Sequence, residues 1–140
     1  MAEGFLCDFA SLLREANGDL SFVIDLLRLW VRECDDGLVR IVDFTVDEHS
    51  AMTCSVAYAH VDALIESAAL IGAVRVKVCC YLIQYVLKTA MLFRGRDTTL
   101  LPNERDSLWD TLMRLQYELE RVTEQIRAFS RPFQNGYILK

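Results

Sequence analysis

The sequence predicts an all-α fold: an antiparallel up-and-down four-helix bundle with an additional N-terminal helix. Three observations carry this. Leu108, Leu112, Leu115, Leu119, Val122, Ile126 and Phe129 recur at steps of 4, 3, 4, 3, 4 and 3, the spacing that keeps one stripe of a helix against its neighbours. Only two prolines and six glycines punctuate the 140 residues, too few for a many-turned sheet protein. The apolar share of 53% supplies ample material for one core, and long helices joined by short loops pack as antiparallel neighbours.

Taken in order, the first helix is expected over residues 2–15, with Phe5, Leu6, Phe9, Leu12 and Leu13 on one stripe. Asn17-Gly18 closes it as a left-handed cap. Asp19 or Ser21 caps the second helix, which ends near Asp43 and turns Val23, Leu27, Trp30, Cys34, Leu38 and Ile41 inward. Thr45 or Asp47 caps the third, and Glu48 favours its positive N-terminal end. The third helix ends near Leu70, and the fourth covers residues 74–93. Residues 94–103 form the clearest loop, punctuated by Gly95 and Pro102. The fifth helix spans residues 103–130 and is stopped by Pro132. The organisation is one domain, 1–131, followed by a loose tail, 132–140.

Composition narrows the function classes. The net charge is −5 and the bases are scattered, which leaves no nucleic-acid footprint. Cys7, Cys34, Cys54, Cys79 and Cys80 form no C-x-x-C pair and no Cys/His ligand spacing. An odd count without a signal peptide reads as reduced, buried thiols of a cytoplasmic or nuclear protein. Glu3, Asp8 and the lack of a basic leader point away from a secretory or transit peptide. The apolar run 78–93 is interrupted by Gln84 and Lys88 and is expected to be too short to span a bilayer, which takes about 20 residues.

Residues 58–77 read Y-A-H-V-D-A-L-I-E-S-A-A-L-I-G-A-V-R-V-K. Leu64, Ser67, Ala68, Ala69, Ile71, Gly72, Ala73, Arg75, Val76 and Lys77 fit, without a gap, the pattern H-x-L-K-G-S, small residues, a hydrophobe, Gly-Ala and x-R-V-K. The stretch resembles the central helix of histidine-containing phosphotransfer (HPt) proteins, and most of all the plant members of cytokinin-type phosphorelays. Glu3-Gly4-Phe5-Leu6, Asp19 with Phe22-Val23, and Leu115-Gln116-Tyr117-Glu118 resemble further plant HPt segments, so the likeness covers most of the chain. In that family the small pair matching Gly72-Ala73 lies near the end of the site helix, where the chain turns into the next one. The resemblance implies an HPt-like bundle, but its phosphoryl-accepting histidine falls on Asp62, and its Lys and Gly fall on Ile65 and Glu66.

These departures matter chemically. Imidazole is a nucleophile near neutral pH, and the phosphoramidate it forms is a good donor. A carboxylate at 62 would give an acyl phosphate, which needs a metal-bearing pocket that one helix face does not offer. Ile65 removes the cation that counters phosphate charge. Glu66 puts a second carboxylate one turn from Asp62, and like charges at that spacing repel. A gapped frame moves the lost histidine to Glu66, still a carboxylate. Two carboxylates on one helix are too few ligands for a metal ion, and a solvated face is the commoner reading than a catalytic pair. No cofactor is expected.

His60 is the rival phosphosite. Two residues rotate about 200° around a helix, so His60 is expected to face away from Asp62 and Glu66 unless the register shifts. The expected function is therefore that of a non-catalytic, cytoplasmic and nuclear HPt-like protein. It binds receiver domains of sensor kinases or response regulators and competes with active carriers. The expected docking surface is the exposed face of Asp62, Ile65, Glu66 and Ala69 with the adjoining face of the second helix. The alternatives are an active carrier using His60, and a helical interaction module unrelated to phosphorelays. No membrane partner is expected, and a fifth-helix seam satisfied within the fold predicts a monomer.

Overall fold

Five α-helices are present in the computed structural model, which describes residues 8–47 and 49–134: α1 (Phe9–Glu15), α2 (Leu20–Val46), α3 (Cys54–Ile71), α4 (Val74–Arg94) and α5 (Pro102–Gln134). There is no strand among the described residues. Expectations placed on Phe5, Leu6, Cys7, Glu48 and the tail beyond 134 lie outside them. α2 packs on α3, α3 on α4, α4 on α5, and α5 back on α2, while α1 packs on α2. The four long helices thus form a closed ring around one core.

The inward stripes expected of α2 and α5 are buried, from Val23 to Ile41 and from Leu108 to Ile126, with Phe129 partly buried. Leu13 is partly buried beside Phe9 and Leu12. Phe9 stacks on Phe129 with ring centroids 4.4 Å apart, which pins α1 to the end of α5.

Asp19, not Ser21, caps α2: its carboxylate accepts the Phe22 N–H at 3.1 Å. Asn17 and Gly18 both adopt positive φ, and the Gly18 N–H returns to the Leu13 carbonyl at 2.8 Å, as expected of a left-handed closure. Three boundaries differ from expectation: the end of α2, the start of α3 and the end of α5. α2 runs on to Val46 because Phe44 and Thr45 continue its buried stripe, and the Thr45 hydroxyl donates to the Ile41 carbonyl instead of capping a new helix. Asp47 closes α2, and Thr53 caps α3 by accepting the Val56 N–H. Pro132 does not stop α5, which continues to Gln134; near a helix end, proline forfeits one N–H bond with little structure left beyond it to disrupt.

Residues 95–101 are held at both ends. Arg94 reaches the Thr99 carbonyl and pairs with Glu104 on α5, whose carboxylate also accepts the Leu101 N–H at 2.8 Å. The loop carbonyls of Thr98 and Arg96 accept the first N–H groups of α3, from Cys54 and Ser55, and Leu100 is buried in the core. The loop therefore supplies acceptors that the N-terminus of α3 would otherwise lack.

Burial pushes the Glu104 carboxyl up, but the Arg94 hydrogen bond, the Leu101 N–H and the Arg94 charge together hold it below its ordinary 4.5. A carboxyl lowered on folding adds stability that is full above the unfolded pKa and disappears as pH falls through the folded one. Glu104→Gln is expected to destabilise by about 1–3 kcal/mol at neutral pH. The gap from the parent should close as pH drops below the carboxylate range, measured by denaturant titration at a series of pH values.

Cys34, Cys54, Cys79 and Cys80 are free and buried. Burial raises all four thiols, Cys54 to about 11 and Cys80 to about 12. The thiolate is the reactive form, so a thiol-titrating reagent at neutral pH is expected to leave these four unmodified until denaturant is added.

α3 and α4 are each long and apolar enough to cross a membrane by length and composition, with 39% of each apolar window buried inside the fold. The run 78–93, expected to be too short, belongs to a helix of 21 residues, so length does not exclude a span. Core helices of water-soluble proteins pass the same test.

Candidate docking face on the third helix

α3 divides into two faces. Val61, Leu64, Ile65 and Ala68 point into the core, and Ala59, Asp62, Ala63, Glu66, Ala69 and Leu70 are exposed. Asp62, Glu66 and Ala69 therefore share one surface strip, as expected. Ile65 does not join them. It is 7% exposed because 61, 64, 65 and 68 follow the i, i+3, i+4, i+7 spacing of a buried stripe. The exposed strip consequently lacks the one large apolar side chain expected on it.

Asp62 is tethered rather than free. Its Oδ1 accepts a hydrogen bond from Nε2 of Gln84 on α4 at 3.2 Å. Gln84 is buried, and a buried amide without a partner would be destabilising. The carboxylate at 62 thus completes a polar contact between the two helices. The sequence signal for Gln84 is a single amide within an otherwise apolar stretch of α4.

Ser67 also has a structural role. Its hydroxyl donates to the Leu64 carbonyl at 3.1 Å and accepts the indole N–H of Trp30 on α2 at 3.2 Å. Gly37 brings α2 and α3 close: a Cβ there would meet a Leu64 methyl at 3.1 Å. Gly72 ends α3 in the left-handed region, and its N–H and the Ala73 N–H return to the Ala69 and Ala68 carbonyls. The chain turns there directly into α4.

His60 is half-buried, between the buried positions 57, 61 and 64 and the exposed strip. His49 is exposed in the α2–α3 connection, its N–H donating to Asp47 at 2.9 Å. Neither histidine is grouped with Asp62 and Glu66 on the exposed strip. Among the described residues, no group of three or more His, Cys, Asp and Glu is placed to hold a metal ion. An open cleft of about 620 Å³ lies between α2 and α5, bordered by Asp35, Glu120, Glu124 and Arg127. It does not include α3.

A second surface went unread in the sequence. The outer side of α4 exposes Val74, Val78, Tyr81, Leu82, Tyr85 and Leu92. Positions 74, 78, 81, 85, 88 and 92 step by 4, 3, 4, 3 and 4, a helical seam with Lys88 inside it.

What the strip on α3 can do chemically is limited. It offers two exposed carboxylates and small side chains, with no imidazole nucleophile at its centre and no cation to hold phosphate. Compared with family models, curated proteins and solved structures, the chain matches none of them.

Proposed function

We propose that this chain is a non-catalytic HPt-like protein of a two-component, cytokinin-type phosphorelay, working in the cytoplasm and nucleus. In this reading the ring of α2 to α5 is an antiparallel up-and-down four-helix bundle with α1 added. It binds receiver domains and competes with active phosphotransfer proteins. The observation that carries the reading is the position of Asp62. It sits mid-helix on the exposed strip of α3, where the resemblance requires the phosphoryl-accepting histidine, and its carboxylate is engaged by Gln84. A carboxylate so placed, with Glu66 one turn away, repels phosphate and provides no stable phosphoramidate. The small Ala63 and Ala69 leave the strip open to a partner, and the turn at Gly72 falls where the family pattern has it.

The test is a phosphorelay with a sensor kinase, its receiver, labelled ATP and an active carrier. Binding of the receiver to this chain without label transfer is expected, together with slower labelling of the active carrier in its presence. Ala69→Arg, which places a bulky cation on the strip, is expected to weaken receiver binding at least about tenfold. Acid-labile label that disappears in His60→Gln would replace the proposal with an active carrier. Absence of receiver binding would remove the phosphorelay reading altogether.

A further inference from the structure

We infer that the outer face of α4 pairs with the same face of a second copy of this chain, antiparallel about a two-fold axis. The inference is argued from α4 rather than from the phosphorelay reading, although Asp62 and Glu66 of the α3 strip lie at the rim of the proposed contact. It replaces the expected monomer, which took account of the α5 seam alone.

The five apolar residues of the stripe and the adjacent Leu82 are all more than half exposed, from 51% at Val78 to 77% at Leu92, and Leu70 and Phe93 extend it at the ends. Monomeric proteins rarely expose a continuous apolar patch beyond a few hundred Å². Taking roughly 150–200 Å² for a large apolar side chain, the stripe offers on the order of 800 Å², about what each side of a stable interface hides. Its spacing of 4, 3, 4, 3 and 4 is that of a helix seam meeting another helix.

Two further features choose a second copy and its direction. α4 carries Arg75, Lys77, Lys88 and Arg94 and no carboxylate, while α3 beside it exposes Asp62 and Glu66, and α5 exposes Asp106 and Asp110 together with Arg114, whose charge reaches Cys79 of α4. A second copy therefore brings acids to the rim of a basic, apolar helix, whereas the same flanking acids oppose an anionic membrane surface. Lys88 then fixes the direction. A parallel, in-register pair would set Lys88 against Lys88. An antiparallel pair centred near position 83 sets 74 against 92, 78 against 88 and 81 against 85. Lys88 then lays its aliphatic stem along Val78 with its ammonium at the rim, and Tyr81 meets Tyr85 at the centre, where aromatic anchors contribute most.

Sedimentation equilibrium on the full chain, up to about 100 μM to cover micromolar affinities, is expected to give twice the chain mass of 16.0 kDa. Tyr85→Glu is expected to halve that mass with unchanged helical circular dichroism, because Tyr85 is exposed. A single-chain mass for the parent, or a dimer that Tyr85→Glu leaves intact, would overturn the proposal. So would a monomer that sediments with anionic vesicles, which would assign the face to a membrane. For the direction, Tyr81→Cys and Tyr85→Cys chains are mixed and oxidised. Crosslinks between unlike chains are expected to dominate; a preference for like chains would overturn the antiparallel arrangement.

Discussion

Gly72→Ala is expected to lower the unfolding free energy by about 2–4 kcal/mol, combining a left-handed backbone with an overpacked contact. Gly72 has φ +74°, and a Cβ there would stand 2.9 Å from the Asp8 Cβ and 3.2 Å from the Asp8 backbone nitrogen. That neighbour cannot swing aside as a long side chain would. The Asp8 N–H is bonded to the Ile71 carbonyl at 2.9 Å, and its carboxylate caps α1 through the Ser11 N–H. Relief of the clash must move the start of α1 or the end of α3. Gly18 provides the control, with φ +80° and nothing within 4 Å of its would-be Cβ. Gly18→Ala is expected to show only the backbone part, about 1–2 kcal/mol. Parallel denaturant titrations of the two variants isolate the contact, and equal losses would show that Asp8 imposes none.

Leu112→Ala is expected to have the largest effect, about 3–5 kcal/mol. Leu112 is completely buried in the middle of the α5 stripe, and both α2 and α4 pack on that helix. Packing from two sides leaves little freedom for the site to collapse around the missing atoms, so a cavity persists. Asp110→Ala, at an exposed position of the same helix, is expected to stay within about 0.5 kcal/mol. A loss below about 1.5 kcal/mol at Leu112 would mean that the core repacks, contrary to the close packing expected of such interiors.

The helical stripes are legible in the sequence because burial imposes the helical period on side-chain polarity. The α5 repeat and the inward residues of α2 are the clearest cases. Boundaries are less legible. Thr45 has the chemistry of a cap, yet a threonine can equally return its hydroxyl to the carbonyl four residues back, and only tertiary burial decides between the two. Of the four residues expected to share an exposed face, Asp62, Glu66 and Ala69 do so, whereas the spacing of Ile65 with Val61, Leu64 and Ala68 assigns it to the core. The partner of Asp62 could not be read, since Gln84 is 22 positions away and reaches it only through the packing of α3 on α4. The outer seam of α4 was concealed for a different reason. A helix apolar on both sides gives no contrast by which periodicity distinguishes the core face from the outer one.

The bond from Gln84 also bears on what a histidine introduced at position 62 would meet. Histidine placed at 62 with position 84 untouched would be offered the same buried amide proton. An imidazole nitrogen that accepts it has its lone pair occupied and cannot attack phosphorus through that atom. The neighbouring helix would thus engage one of the two ring nitrogens in advance. Under the proposed reading, Asp62→His alone leaves the imidazole facing that amide, and a change made first at 84 would deprive Asp62 of its donor. The contact couples the two positions, so that a substitution on one helix changes the polar balance of the next.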